Sequence, residues 1–252
     1  MKKIYRFLLK ALPRPLLIRL SYVFRWFAPL IYGGNKVECT VCNKTFRKFL
    51  SYGATERSNV LCPNCLSLER HRLMYVYLQQ QTTFFTEPHN VLHIAPEQCF
   101  YKRFRKMKNL KYTTADIESP LADVKMDLHH APFKDNEFDI IFCNHVLEHV
   151  DDDAQCMREL YRMLKPGGFA IMQVPIDYNR EKTYEDPSIT SPEDREKHFW
   201  QKDHVRLFGR DYPTRLSAAG FKMDCNELAK QLGEKAERFR IIPTEILYVG
   251  KK

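Results

Sequence analysis

The stretch FDIIFCNHVLEHVDDDAQCMRELYRMLKPGGFAIMQVP, residues 138–175, reads as strand, loop, helix, turn and strand in immediate succession. FDIIFCN (138–144) is an apolar run of strand length, and DDAQCMRELYRML (152–164) is a helix. KPGG (165–168) turns the chain, Lys165 and Gly167 being the expected chemistry of a helix C-terminus, and FAIMQVP (169–175) is a second strand. The same rhythm continues outward. NVLHIA (90–95) precedes a basic helix, FYKRFRKMKN (100–109); KYTTADI (111–117), ADVKMDL (122–128) and PTEILYVG (243–250) are further strands. Alternating strands and helices of this length predict an α/β fold, a parallel sheet covered by helices. Its ligands bind beyond the carboxyl ends of the strands.

Three regions divide the 252 residues: a basic apolar arm (1–36), a cysteine-rich module with a linking helix (37–86) and the α/β domain (87–252). The formal charge of +9 belongs almost wholly to the arm, which holds Lys2, Lys3, Arg6, Lys10, Arg14, Arg19, Arg25 and Lys36 and no acid. These charges interrupt every apolar run before it reaches bilayer-spanning length, and no secretory cleavage signal is legible. Interleaved Phe7, Leu8, Leu17, Ile18, Phe24, Trp26 and Phe27 suit an anionic membrane surface, reached through residues 1–34. Docking on the protein's own body is the plainer alternative. The expected location is the cytoplasm, peripheral on the inner face of the membrane.

CTVC and CPNC place Cys39, Cys42, Cys62 and Cys65 in two pairs separated by a 19-residue loop. Two tight turns that each offer two thiolates complete a tetrahedron, so the spacing predicts a structural zinc ion with no open position. A disulfide framework is the alternative, but Cys99, Cys143, Cys156 and Cys225 show no similar pairing. SLERHRLMYVYLQQ (67–80) follows as a helix with Ser67 as its N-cap, and His71 is read as a packing residue, not a ligand.

FDIIFCNHVLEHVDD followed by RMLKPGGFAIMQVP resembles the central block of class I S-adenosylmethionine-dependent methyltransferases, the type 11 group in particular. ADIESP (115–120) is similar to that family's second strand with its acidic end, and KMDLHHAPFKDNEFD (125–139) to its adenine-contacting segment. The likeness covers about residues 88–175, with weaker support from RLSAAGFKMD (215–224) and the final strand. It implies a Rossmann-like sheet and S-adenosyl-L-methionine as cofactor. Asp116 would then accept the ribose hydroxyls with Ile117 beside it, Asp127 the adenine amine with Leu128 beside it, and Asn144 would line the site.

The departure lies in the first loop. The family has Asp-x-Gly-x-Gly-x-Gly; here His93 takes the acidic position and Ala95, Glu97 and Cys99 the three glycines. The cofactor carries no phosphate and needs no nest of amides, so Ala95 is small enough, and Glu97 is expected to take over the amine contact. A fold that has lost its ligand is the competing reading.

Methyl transfer is an in-line displacement that chiefly needs positioning, plus a base where the acceptor is a hydroxyl or protonated amine. The candidate bases are His145 and His204; His129, His130, Glu148 and His149 are read as scaffold, and Asp139 as structural. Residues 176–203 form a polar, lid-like insertion, with Ser191 capping a helix at SPED and Tyr178, Tyr184, Phe199 and Trp200 as contacts. The expected acceptor is a small molecule, a glycan or a lipid-linked group. A ribosomal RNA methyltransferase with a zinc recognition module and a non-catalytic zinc-ribbon binding protein are the two alternatives, so an RNA partner stays open.

Overall fold

The computed structural model describes residues 16, 27, 28, 30–53 and 56–252. The expectations for the arm fall almost entirely outside the described residues. No helix among the described residues is long and apolar enough to cross a membrane.

The chain forms two compact units, one ending at Gln80 and taking back Ala229–Glu245, the other made of Gln81–Leu228 and Ile246–Lys252. In the first, strand β1 (Gly33–Cys39) pairs with β2 (Lys44–Phe46) and β3 (Leu50–Tyr52) with β4 (Arg57–Leu61), both antiparallel. Helix α1 (Glu69–Gln80) follows. Phe46, Phe49, Leu73 and Leu78 are buried in this unit, and one charged side chain is buried with them. Arg72 is fully buried, and its guanidinium donates to the carbonyls of Ser67, Phe239 and Arg240 while lying 4.6 Å from the Phe49 ring centre. Three carbonyls replace the water the ion has lost, although burial still lowers its pKa from the ordinary value. The returning segment is joined to the unit through these bonds, although the sequence reading assigns 229–245 to the α/β domain.

The second unit is built on a seven-stranded sheet ordered β12-β13-β9-β8-β5-β6-β7. Strands β5 (His89–Ile94), β6 (Leu110–Asp116), β7 (Val124–Lys125), β8 (Phe138–Cys143) and β9 (Leu164–Ile171) run parallel. β13 (Leu247–Lys251) is antiparallel to both its neighbours, β9 and β12 (Lys222–Asn226). On one face Ile141, Cys143, Ala170 and Met172 pack with Met157 and Leu160 of α3 (Asp153–Met163) and Leu216 of α5 (Tyr212–Ala218). On the other, Phe142 meets Phe84 and Phe104, and Phe104 stacks on Phe100 of α2 (Gln98–Phe104). Apolar side chains on both faces are what a central parallel strand requires.

Three local expectations are corrected. KPGG is not a helix-ending turn but part of β9: α3 stops at Met163, Leu164 is already extended, and a Cβ on Gly168 would stand 2.6 Å from the Asp139 carbonyl. Ser67 does not cap α1, because its hydroxyl lies 3.1 and 3.2 Å from the sulfurs of Cys39 and Cys65; the Leu68 amide is accepted by His71 Nδ1 instead. ADVKMDL contributes only two strand residues, since Asp127 already caps a 3₁₀ turn over Leu128–His130.

Candidate functional site

Three parallel strands, β5, β6 and β8, end side by side at Ile94, Asp116 and Cys143. At the first, Ala95 turns the chain with φ +50°, the left-handed conformation for which glycine is normally used. The turn brings Glu97 back over the strand. Its carboxylate receives His93 Nε2 on one oxygen and Asn144 Nδ2 at 3.1 Å on the other. His93 is fully buried, and its Nδ1 lies 2.6 Å from the Tyr112 hydroxyl, which burial keeps protonated and therefore a donor. Asn144 is fixed in turn because its carbonyl accepts the Gln173 amide. His93 is thus buried with both ring nitrogens bonded, and it aims Glu97. Leu128 is buried beneath the same edge.

Asp116 Oδ1 accepts the amides of Glu118 and Ser119 at 2.8 and 2.7 Å, closing a turn and leaving Oδ2 without a protein partner among the described residues. Beside it Ile117 is 66% exposed, an apolar side chain held out at the rim. Asp127 accepts both the His129 amide and the His129 ring, and these bonds, the amide first, hold its carboxyl below the usual range. His129 also accepts the Asp152 amide through Nε2, which ties the rim to the start of α3. Asp139 lies at the opposite edge, paired with Lys165 at 2.8 Å. The open depression of about 540 Å³ lined by His89, Lys111 and Asp139 also belongs to that opposite edge.

Beyond β8 the loop 144–152 carries the acceptor-side candidates. His145 has φ +54°, its amide donates to the Gln173 carbonyl, and its Nδ1 donates to Glu148 Oε1 at 3.0 Å. Glu148 is 1% exposed. Burial pushes its pKa up, but the His145 bond and the neighbouring imidazoles outweigh burial and hold it ionised. His204 is also buried; Nδ1 donates to the Phe199 carbonyl at 2.9 Å, and burial lowers its pKa, favouring the neutral ring. Sequence reading overlooked the residue that holds this loop. Arg206, 2% exposed and first residue of β11 (Arg206–Leu207), donates to the carbonyls of Leu147, Val150 and Asp151 and to Glu185 of β10 (Tyr184–Glu185). Asp153, bonded by Arg215 at 2.7 Å, completes the network. A lone arginine beside a histidine carries no signal of three distant carbonyls.

In the 176–203 insertion, Ser191 caps α4 (Pro192–Phe199) by accepting the Asp194 amide. Phe199 is buried, whereas Tyr178 and Trp200 are about half exposed.

In the other unit, Cys39, Cys42, Cys62 and Cys65 place their sulfurs within 4.8 Å of one another, with Cys39–Cys65 at 3.4 Å and Cys42–Cys62 at 3.8 Å. None is in a disulfide. A tetrahedral ion with bonds of about 2.3 Å sets sulfurs about 3.8 Å apart, so the donor set fits zinc.

Residues 89–172 match the family model for a methyltransferase domain. The chain carries a methyltransferase domain. That domain spans β5 to the end of β9 and so contains Glu97, Asp116, Asp127, Asn144 and the 144–152 loop. The chain is 26% identical over 161 residues to a tRNA U34 carboxymethyltransferase of Nautilia profundicola, covering 62% of this chain and 49% of that protein. It is 36% identical over 69 residues to a demethylmenaquinone methyltransferase of Listeria monocytogenes serotype 4a, covering 27% of this chain and 29% of that one. The chain therefore spans about half the length of the first relative, and less of the second. Among solved structures, the [4+2]-cyclase SpnF is 14% identical with a TM-score of 0.49, covering 92% of this chain and 93% of that one. A methyltransferase from Archaeoglobus fulgidus is 16% identical with a TM-score of 0.45, covering 71% and 93%.

Proposed function

We propose that the protein is an S-adenosyl-L-methionine-dependent methyltransferase that acts on a small molecule bearing a hydroxyl or protonated amine. The observation that carries this reading is the convergence of Glu97, Asp116 and Asp127 on the carboxyl edge of adjacent strands, with exposed Ile117 among them. Each fits one part of the cofactor: the Glu97 carboxylate its amine, Asp116 Oδ2 the ribose hydroxyls, Ile117 a face of the adenine and Asp127 the exocyclic amine. When bound, the cofactor supplies an electrophilic methyl group on a sulfonium. The protein's own part is to orient the two reactants and to remove a proton. His145 is placed for the second task. With Nδ1–H donated to the ionised Glu148, its Nε2 keeps a lone pair, and Glu148 would stabilise the imidazolium formed on proton transfer.

The same proposal takes Cys39, Cys42, Cys62 and Cys65 as holding one structural zinc ion. A second reading, an RNA acceptor, is favoured by the tRNA-modifying relative and by the arm, eight positive charges without an acid. Equilibrium dialysis against labelled cofactor tests the principal reading. Asp116→Ala, which removes a charge-assisted acceptor, is expected to weaken binding by about 1.5–3 kcal/mol. Binding unchanged by that substitution would remove Asp116 from the site.

A further inference from the structure

Glu148, His149 and His204 each offer one ligand atom, and these three atoms lie within 4.8 Å of one another. Two of the three residues are almost completely buried, at 1% exposure each. Glu148 Oε2 and His204 Nε2 nonetheless have no hydrogen-bond partner among the described residues. Buried polar atoms are nearly always satisfied, so two orphans in one cluster point to something that belongs there.

The groups around the cluster say what that is. His204 Nδ1 is 2.9 Å from the Phe199 carbonyl and His149 Nδ1 is 3.2 Å from the Asp203 carbonyl. A carbonyl can only accept, so both rings carry their proton on Nδ1 and present a bare lone pair on Nε2. The Asp203 carboxylate reinforces the His149 tautomer from 3.4 Å. Glu148 is fixed in the same manner: Oε1 is occupied by His145, which leaves Oε2 as its unpaired oxygen among the described residues. Histidines that donate their other nitrogen to a carbonyl, beside a carboxylate fixed through its other oxygen, form the outer shell that metal ligands have.

We propose that Glu148, His149 and His204 bind a divalent first-row transition-metal ion, a second metal centre separate from the four cysteines. Two imidazoles and one carboxylate form a borderline donor set suited to Mn²⁺, Fe²⁺, Co²⁺ or Zn²⁺. Three protein ligands also leave coordination positions open, in contrast to the closed four-thiolate site. His149, with its side chain one-third exposed, marks the route by which an ion enters. The open positions would take acceptor oxygens, lowering the pKa of a hydroxyl that His145 then deprotonates. This last role rests on the methyl-transfer reading; occupancy by the ion does not.

The test is a titration of the full-length, zinc-containing protein with Mn²⁺, following the free ion by its electron paramagnetic resonance. Mn²⁺ favours oxygen and nitrogen donors over thiolates, so it reports this site and not the cysteines. One Mn²⁺ per chain is expected to bind, and Glu148→Gln and His204→Gln are each expected to weaken it at least tenfold. Both replace buried residues, so the partly exposed His149→Gln is included as a milder change and is expected to weaken the ion similarly. Cofactor affinity measured in parallel separates the two proposals: Mn²⁺ bound without cofactor binding leaves the metal centre standing and the methyl-transfer reading refuted. An unchanged free-ion signal in wild type, or equal binding by wild type and His149→Gln, overturns the metal centre.

Discussion

Ala95 and His145 hold φ near +50° at the ends of β5 and β8, a conformation that costs a residue with a Cβ about 1–2 kcal/mol. Both stand just past the carboxyl ends of their strands, at the edge proposed to bind the cofactor. At Ala95 the substitution was legible in the sequence, since the family's loop has glycine there; its backbone angle follows from the need to turn Glu97 back toward His93 and Asn144. Ala95→Gly should leave cofactor affinity intact and change stability by less than about 1 kcal/mol, relief of strain being offset by greater freedom of the unfolded chain. Ala95→Val, branched at Cβ, should lower the melting temperature and reduce cofactor affinity at least tenfold. Thermal melts with and without cofactor distinguish these outcomes; a Val variant indistinguishable from wild type would contradict the assigned loop geometry. His93 is the residue where the sequence reading was least complete. Its position matched the family's acid, but nothing in the linear pattern disclosed that Tyr112 and Glu97 would occupy its two nitrogens.

Among the elements, those whose signal is local were the most readable. The apolar strands β5, β6 and β8 and helix α3 fall close to their expected positions, because burial on both faces and cap chemistry leave marks in neighbouring residues. The irregular connections were less readable. Arg72 bonds to carbonyls 167 and 168 positions away, and Arg206 to carbonyls of a loop more than 50 positions earlier; such bonds have no periodicity to detect. Arg72→Met tests how far one side chain organises its unit. The substitution leaves three buried carbonyls short of a donor, so it should destabilise that unit by about 2–4 kcal/mol. Release of zinc to a colorimetric chelator should then occur at lower urea than in wild type. Coincident release curves would show that the guanidinium contributes little.

The whole molecule combines a methyltransferase domain with a cysteine-rich unit that is expected to depend on metal for its stability. Purified protein should carry one zinc per chain that Cys62→Ser fails to retain, and elemental analysis of folded, reduced protein without zinc would refute that part. The central claim is that the altered first loop still binds S-adenosyl-L-methionine. Calorimetric titration of the cofactor into the full-length, zinc-loaded chain tests it most directly. The account predicts saturable heat with one site per chain, weakened about tenfold or more by Glu97→Gln, which removes the charge facing the cofactor amine. No heat and no thermal shift at millimolar cofactor would contradict it, leaving a methyltransferase fold that no longer holds its ligand.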